Sequence, residues 1–248
     1  HSGNGGTNPV EQMRYIIDTF LPRASYNQDS FTTAYDLLVD WRFGTVLYDP
    51  GDSRALLQRM AFQCGSLLVE SANNEFKLVV RHPSRSTIFG FDNTNILEDS
   101  FTIVPERISN VYSEIYVWFG SKTGGSTNVN DFASSTYVTE SSTTHPAGPS
   151  VIVFVQTAAQ IYRQHNRLDV FADLIQDKFT ADLLLERLVQ TKTIRHSIVA
   201  FDTWLDAAYL EIGDVIQVRD PRYPTAVPRD YEISAIGPRP DMPGIHIE

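Results

Sequence analysis

The spacing of apolar residues changes at Gly65, and this change limits the possible folds more than any other feature of the chain. Before Gly65, apolar residues recur every three or four positions, as in amphipathic helices. After Gly65 they alternate with polar residues over short runs, which is typical of strands with one buried face. A second helical pattern, at 177–189, interrupts these strands. The order predicts an α+β fold in which helices come first and strands follow, with one long helix inserted.

Three helices are predicted before Gly65. Asn8 can cap the first helix, and Pro9 suits its first helical position. The second is expected to begin near Ser30, with Trp41 at the end of its apolar face, and the third to begin at residue 52 or 53.

Short strands are predicted between and after the helices. Residues 67–70 and 75–81 flank Asn73-Asn74, a good hairpin turn. The stretch 120–135 is rich in Gly, Ser and Thr and is predicted to be a long exposed loop. The remaining strands are expected at 87–91, 101–104, 111–119, 137–139, 151–155, 167–170, 194–201, 215–218, 231–236 and 245–247.

A tight turn is predicted at Gly213-Asp214, just before the apolar strand 215–218. Glycine supplies the backbone freedom that such a turn needs. Because a helix and an alternating strand precede it, the strand is interpreted as closing a small barrel. Asp214 is interpreted as a residue that stabilises the turn and not as a catalyst.

Two consecutive domains are predicted, with a boundary near Val104-Pro105. Residues 8–105 are expected to form a helical and hairpin subdomain. Residues 106–248 are expected to form a small, mostly antiparallel β-barrel with one long inserted helix. Residues 1–7 are polar and glycine-rich and are interpreted as a tag remnant or a disordered lead-in.

Composition argues against several classes of protein. The net charge is −10 and the pI is about 5.0, so no specific nucleic-acid binding is predicted. No apolar run reaches the roughly 20 residues of a membrane-spanning helix, and no integral membrane segment is expected. The single cysteine, Cys64, allows no internal disulfide and no cysteine-based metal cage, and it is interpreted as a small buried residue.

The sequence contains only weak motifs for metal binding or catalysis. Asp169, Asp173 and Asp177 recur every four residues and on one helix could hold Ca²⁺, but they are interpreted as a solvated face with a helix N-cap. The oxygen-rich stretch 92–98 is interpreted as a turn. The six histidines, His196 among them, are scattered and lack metal-site spacing. No catalytic, cofactor-binding or metal-binding residue is therefore predicted, and the chain is not expected to be an enzyme.

Aromatic residues on the strand 111–119 suggest an interaction surface. By alternation Tyr112, Tyr116 and Trp118 share one face, and the opposite face is apolar. A strand that suits burial on both faces must be covered on both. The cover is either the chain itself or a partner subunit, since Tyr and Trp are enriched at interfaces, so these three residues are a candidate subunit interface.

Three segments, taken in order, resemble the tail-tip and baseplate hub proteins of tailed bacteriophages. This group includes the lambda-like tip attachment protein and the hub of contractile tails. The first segment is Asn8-Pro9-Val10-Glu11 with its helix, and the second runs from Ser30 through Gly65 to the hairpin at 67–80. The third comprises the strand from Asn110, the helix 177–189, the strand 194–201 and the closing Leu210–Val218.

The resemblance implies a structural role in the virion. Hub proteins of this type form trimers that close the tail tube, contact the distal tail protein and receive the tape-measure protein. The resemblance implies no cofactor, a place at the tail tip with contact to the host cell surface, and a chain that is a fragment of a longer protein.

Two other classes remain open at this stage. A cell-wall polysaccharide hydrolase of the tail tip would need two facing carboxylates in a cleft. A carbohydrate- or receptor-binding module would use exposed aromatic side chains such as Trp118 or Trp204.

Overall fold

The computed structural model describes residues 7–44, 52–70, 75–81, 85–120, 150–154, 156–163, 165–223, 226–239 and 243–248. In chain order the elements are α1 (Pro9–Phe20), β1 (Ser25–Tyr26), α2 (Gln28–Leu37), α3 (Ser53–Gln63), β2 (Ser66–Glu70), β3 (Glu75–Val80), β4 (Phe89–Phe91), β5 (Thr102–Pro105), β6 (Glu114–Trp118), β7 (Ser150–Phe154), α4 (Gln156–Tyr162), β8 (Arg167–Phe171), α5 (Lys178–Lys192), β9 (Ser197–Thr203), β10 (Val215–Val218), β11 (Arg229–Glu232), β12 (Ile236–Pro238) and β13 (Ile245–Ile247). Short 3-10 helices lie at Ile108–Asn110 and Leu205–Ala207. The fold is α+β, as the change of apolar period predicts.

The chain forms two compact units, and each unit is drawn from two stretches of sequence. Unit 1 comprises residues 1–80 and 107–195, and unit 2 comprises 81–106 and 196–248. This division differs from two consecutive domains at 8–105 and 106–248. The chain leaves unit 1 after the first hairpin, makes β4 and β5 of unit 2, and then returns to add β6 to α5 to unit 1.

The described strands form four sheets. Unit 1 holds the sheets β1-β3-β2 and β7-β6-β8, and unit 2 holds β11-β10-β4 and β12-β13-β9-β5. In the described part of the chain none of these sheets closes on itself, so the predicted small barrel is not found there. Strands of 106–248 instead divide among three open sheets, and two of those sheets recruit β4 or β5 from before residue 106.

Side chains cap the helices at the positions that the sequence indicates. The side chain of Asn8 accepts a hydrogen bond from the Val10 amide at 2.9 Å, and Asp52 and Asp177 cap α3 and α5 in the same way. α2 begins two residues before Ser30, because Asn27 supplies its cap. It ends at Leu37, so Trp41 lies beyond the helix and is buried in the core of unit 1.

Most predicted strands are present with small changes of boundary. β9 begins at Ser197 and not at 194, and the single strand expected at 231–236 is divided into β11 and β12. β2 and β3 pair antiparallel, as the predicted hairpin requires. The Asn73-Asn74 turn, the loop from 121 to 135, the strand at 137–139 and residues 1–6 lie outside the described residues.

Each unit has its own apolar core. In unit 1 the apolar faces of the first three helices, of α5 and of the strands β3 and β6 meet, with Phe31, Leu57 and Ile115 fully buried. In unit 2 a smaller core is centred on Phe91 and Phe201, whose rings lie 4.8 Å apart. Burial of these side chains is the main favourable term for folding of both units.

Candidate interaction surface

The candidate interface residues Tyr116 and Trp118 lie in the central strand of the sheet β7-β6-β8. Opposite them on the parallel neighbour β8 are Asp169 and Phe171. The rings of Trp118 and Phe171 are stacked at 6.3 Å, and Tyr116 and Trp118 are both buried. Together these side chains form an aromatic cluster that is separate from the main core of unit 1.

A carboxylate and a guanidinium complete this aromatic cluster. Asp169 Oδ1 accepts hydrogen bonds from Trp118 Nε1 at 3.0 Å and from Arg167 Nη2 at 2.6 Å. The Arg167 guanidinium lies 3.8 Å from the centre of the Tyr116 ring, which is a close cation–π contact. The hydrogen bond that Arg167 donates to Asp169 raises the pKa of Arg167, and burial raises the pKa of Tyr116.

Tyr112 does not share the face of the other two aromatic residues. The chain bends at Ser113, so β6 begins only at Glu114, and Tyr112 packs against the main core of unit 1. The strand alternation that placed Tyr112 beside Tyr116 is therefore broken. The burial of Tyr116 and Trp118 in the single chain favours cover by the chain itself, and an intersubunit contact at these three residues stays a prediction.

The predicted turn residues lie directly before β10. Gly213 has a φ of +90°, which favours glycine, and its amide donates to the Ile233 carbonyl at 2.8 Å. Asp214 Oδ2 accepts a hydrogen bond from the Glu211 amide at 2.9 Å, and Arg85 donates to the Gly213 carbonyl. Asp214 thus closes the turn that its own backbone makes.

The aspartates that recur every four residues do not form one helical stripe. Asp169 lies on β8, Asp173 is buried and accepts a hydrogen bond from Gln63 Nε2 at 2.7 Å, and Asp177 caps α5. Within the described ranges no group of three or more His, Cys, Asp or Glu side chains could hold a metal ion. In the stretch 92–98, Thr94 donates to Asp92 from its hydroxyl and its amide, which lowers the pKa of that carboxyl.

A charged cluster on unit 2 was not predicted from the sequence. Asp202 on β9 accepts a hydrogen bond from His246 Nδ1 on β13 at 2.7 Å and forms an ion pair with Arg239 at 2.5 Å. The three side chains line an open depression of about 520 Å³. Alternation along β9 and β13 would have placed Asp202 and His246 on exposed faces, but the pairing that joins them is not visible in either strand alone.

Strand β5 presents an exposed edge in unit 2. It pairs with β9 on one side, and all four of its residues are exposed, Ile103 and Val104 among them. Pro105 has no amide to donate, which limits further strand pairing at that end. His196, directly before the paired strand β9, is exposed, and its carbonyl accepts from the Glu106 amide at 2.9 Å.

Among the residues that the structure describes, no helix combines the length and the apolar character needed to cross a bilayer. The longest helix, α5, has 15 residues and carries charged residues along its length.

Comparison with known proteins identifies relatives by fold only. No protein-family model and no curated protein matches this chain. The tail protein from Neisseria meningitidis MC58 is similar over 98% of this chain and 66% of its own, with 10% identity and a TM-score of 0.59. The 43 kDa tail protein of prophage MuSo2 from Shewanella oneidensis matches 98% of this chain and 65% of its own, with 11% identity and a TM-score of 0.55.

A chain from the virion of a native gene transfer agent particle is also similar. It matches 79% of this chain and 38% of its own length, with 15% identity and a TM-score of 0.52. This chain thus spans between about two fifths and two thirds of the chains that it resembles. Its fold is that of prophage tail proteins and of a virion component.

Proposed function

We propose that this chain is a structural component of a bacteriophage or prophage tail, and that it belongs to the hub at the tail tip or baseplate. The observation that carries the proposal is the fold shared with prophage tail proteins over 98% of the chain. The proposed role is assembly and not catalysis.

The position within the tail is supported by the order of sequence segments. The capped helix α1, the helix α3 with its β2-β3 hairpin, and the succession α5, β9 and β10 follow one another as in tail-tip and baseplate hub proteins. We therefore place the chain at the end of the tail tube, as a homotrimer that contacts the distal tail protein and the tape-measure protein. At that position it is exposed to the host cell surface.

Exposed strand edges suit this role physically. An edge such as β5 has backbone groups that a neighbouring subunit can pair with, and a closed ring leaves no such edge free. In a closed ring the backbone groups of each β5 edge would pair with a neighbouring subunit, and the assembly would not continue to add subunits.

Deletion of the gene in the phage or prophage tests the proposal. We expect particles without functional tails, with head assembly intact, and recovery when the intact gene is supplied in trans. Deletion of a gene for an outer fibre is the matched control, since it should leave the tail tube complete. Infectious particles with complete tails in the absence of this gene would contradict the proposal.

A further inference from the structure

The stretch 203–218 of unit 2, named here the acidic surface, combines exposed apolar side chains with negative charge. Trp204, Leu205 and Tyr209 are exposed by 49%, 58% and 57%. Exposed apolar side chains that lie close together can mark contact sites. The same stretch contains no Lys, Arg or His and has three carboxylates, Asp206, Glu211 and Asp214.

A second exposed surface, in unit 1, has the opposite charge. It is made by the described residues of the three segments 107–113, 161–163 with 165–166, and 190–195, named here the basic surface. These segments contain no Asp or Glu, and they carry Arg107, Arg163, Lys192, Arg195 and His165. Ile161 and Ile194 add apolar area to it, with exposures of 65% and 56%.

Hydrogen bonds join the three segments into one surface. The Tyr162 hydroxyl accepts from the Arg195 amide at 3.2 Å, and the Lys192 carbonyl accepts from the Tyr112 amide at 2.8 Å. The Asn166 side chain donates to the Val111 carbonyl at 2.9 Å. The cations therefore lie on one part of unit 1 although they are far apart in sequence.

We propose that the acidic surface of one copy binds the basic surface of a second copy in a head-to-tail contact. The proposal rests on the proposed function in taking another copy of this chain as the partner. It is carried by charge complementarity, because the segments of each surface combine exposed apolar side chains with charges of one sign, and the signs are opposite. Arg85, which donates to the Gly213 carbonyl, is ion-paired with Glu232.

The charges argue against other pairings of these surfaces. Two acidic surfaces facing each other would bring six carboxylates together, so a symmetric contact is disfavoured. Unit 2 as a whole contains six Arg and no Lys against 13 Asp and Glu, which gives it a net charge of −7 out of −10 for the chain. Nucleic acid and anionic lipid would be repelled by such a unit.

A head-to-tail contact has a consequence for the assembly. Each copy offers both surfaces, so every contact leaves one acidic and one basic surface unused. A ring that closes uses all of them, whereas an open chain of copies does not.

Charge exchange between the two surfaces tests the contact on the full chain. The first variant is Asp206→Arg with Glu211→Arg, and the second is Arg163→Glu with Lys192→Glu and Arg195→Glu, so that each surface changes the sign of its charge. Sedimentation equilibrium at low salt, from about 1 μM to about 1 mM, covers the range of weak to moderate self-association. We expect the wild type to associate, and each variant alone to associate at least about 100-fold more weakly, because like charges then face each other.

Mixing the two variants gives the sharper result. In the mixture each reversed surface meets a surface of opposite sign, so association should return, while about 0.5 M salt should weaken it in the wild type and in the mixture. Asp18→Arg with Asp36→Arg is the matched control, since both residues are exposed and lie on α1 and α2. This control makes the same change of net charge as the first variant does, and it should associate as the wild type does.

Several outcomes would overturn the proposal. A monomeric wild type across the whole range would do so, as would variants that associate like the wild type or a mixture that fails to recover. Binding of a soluble glycan to the wild type that is lost in the first variant, without self-association, would assign the acidic surface to carbohydrate instead. None of these results bears on the deletion experiment, which tests the place in the tail independently.

Discussion

Trp118 and Asp169 are joined across the parallel strands β6 and β8 by a hydrogen bond of 3.0 Å from the indole Nε1 to the carboxylate Oδ1. The same carboxylate binds Arg167, which lies over the Tyr116 ring. One carboxylate therefore orients a buried indole and a guanidinium at once.

Removal of this carboxylate should destabilise the protein. Asp169→Ala takes the acceptor from the indole N–H of Trp118, and we expect a loss of about 2 kcal/mol in the free energy of unfolding. Asp169→Asn keeps an acceptor oxygen and should lose less. Urea unfolding followed by circular dichroism measures both.

The control for this prediction is Asp182→Ala. Asp182 forms an exposed ion pair with Lys178 on α5, and such pairs contribute about 0.5 kcal/mol or less. Equal unfolding midpoints for Asp169→Ala and Asp182→Ala would show that the cluster around Trp118 does not depend on Asp169.

Gly65, which ends α3, should not tolerate a side chain. Its φ is +64°, and an added Cβ would lie 2.5 Å from the Cδ atom of Arg187. Arg187 Nη1 also donates to the Cys64 carbonyl at 2.7 Å, so its movement would cost that bond. We expect Gly65→Ala to lower the free energy of unfolding by about 1 to 2 kcal/mol from backbone strain alone.

Gly90 offers the matched substitution, since no atom lies within 4 Å of a Cβ added there and its φ is not positive. Gly90→Ala should leave stability unchanged or raise it slightly. If thermal unfolding shows the same shift for both alanines, the strain assigned to Gly65 is wrong.

Burial raises the pKa of the Cys64 thiol from 9.0 to about 11. The folded protein therefore holds this proton more tightly than the unfolded chain does. The stability from this group is complete below pH 9 and is lost as the pH rises from about 9 to about 11, by up to about 3 kcal/mol.

Cys64→Ala isolates that contribution. The difference in unfolding free energy between wild type and variant should be constant below pH 9 and should shrink between pH 9 and 11, because only the wild type has the thiol. A difference that stays constant to pH 11 would mean that the thiol titrates alike in both states.

The fluorescence of Trp204 reports the electrostatic potential at the acidic surface. Trp41 and Trp118 are exposed by 2% and 0%, whereas Trp204 is exposed by 49%. Caesium ions should quench its fluorescence more strongly than iodide ions do at equal concentration, because Asp206 lies two positions away in sequence and unit 2 has a net charge of −7.

Two variants control the quenching measurement. Asp206→Asn with Glu211→Gln should reduce the preference for caesium, and Trp204→Phe should remove most of the quenchable signal. Equal quenching by both ions in the wild type would contradict the negative potential at this surface.

Local signals predicted much of this fold. Asn8, Asp52 and Asp177 cap their helices because a side-chain oxygen directly before a helix can accept a hydrogen bond from an amide of the first turn. Gly65 ends α3 because it can adopt a positive φ. The hairpin β2-β3 follows from alternation of apolar residues on both strands.

Long-range pairing could not be predicted from such signals. β4 pairs with β10 more than 120 positions away, and β5 pairs with β9, so unit 2 is assembled from two distant stretches. A single boundary in the sequence cannot separate the two units, because each unit contains two stretches of the chain. The predicted barrel is not found among the described residues, and closure of a barrel depends on the pairing of strands and not on any strand alone.

The candidate site was predicted only in part. Burial of Tyr116 and Trp118 follows from alternation, but the bend at Ser113 that separates Tyr112 from them leaves no clear signal. The ion cluster of Asp202, Arg239 and His246 depends on the pairing of β9 with β13.

Cryo-electron microscopy of the intact particle tests the central claim most directly. The account predicts density at the distal end of the tail tube into which both units of this chain fit as separate bodies, in three symmetry-related copies around the channel. Density that accounts for the tail end without this fold, or this fold found in the head or along the tube wall, would contradict it.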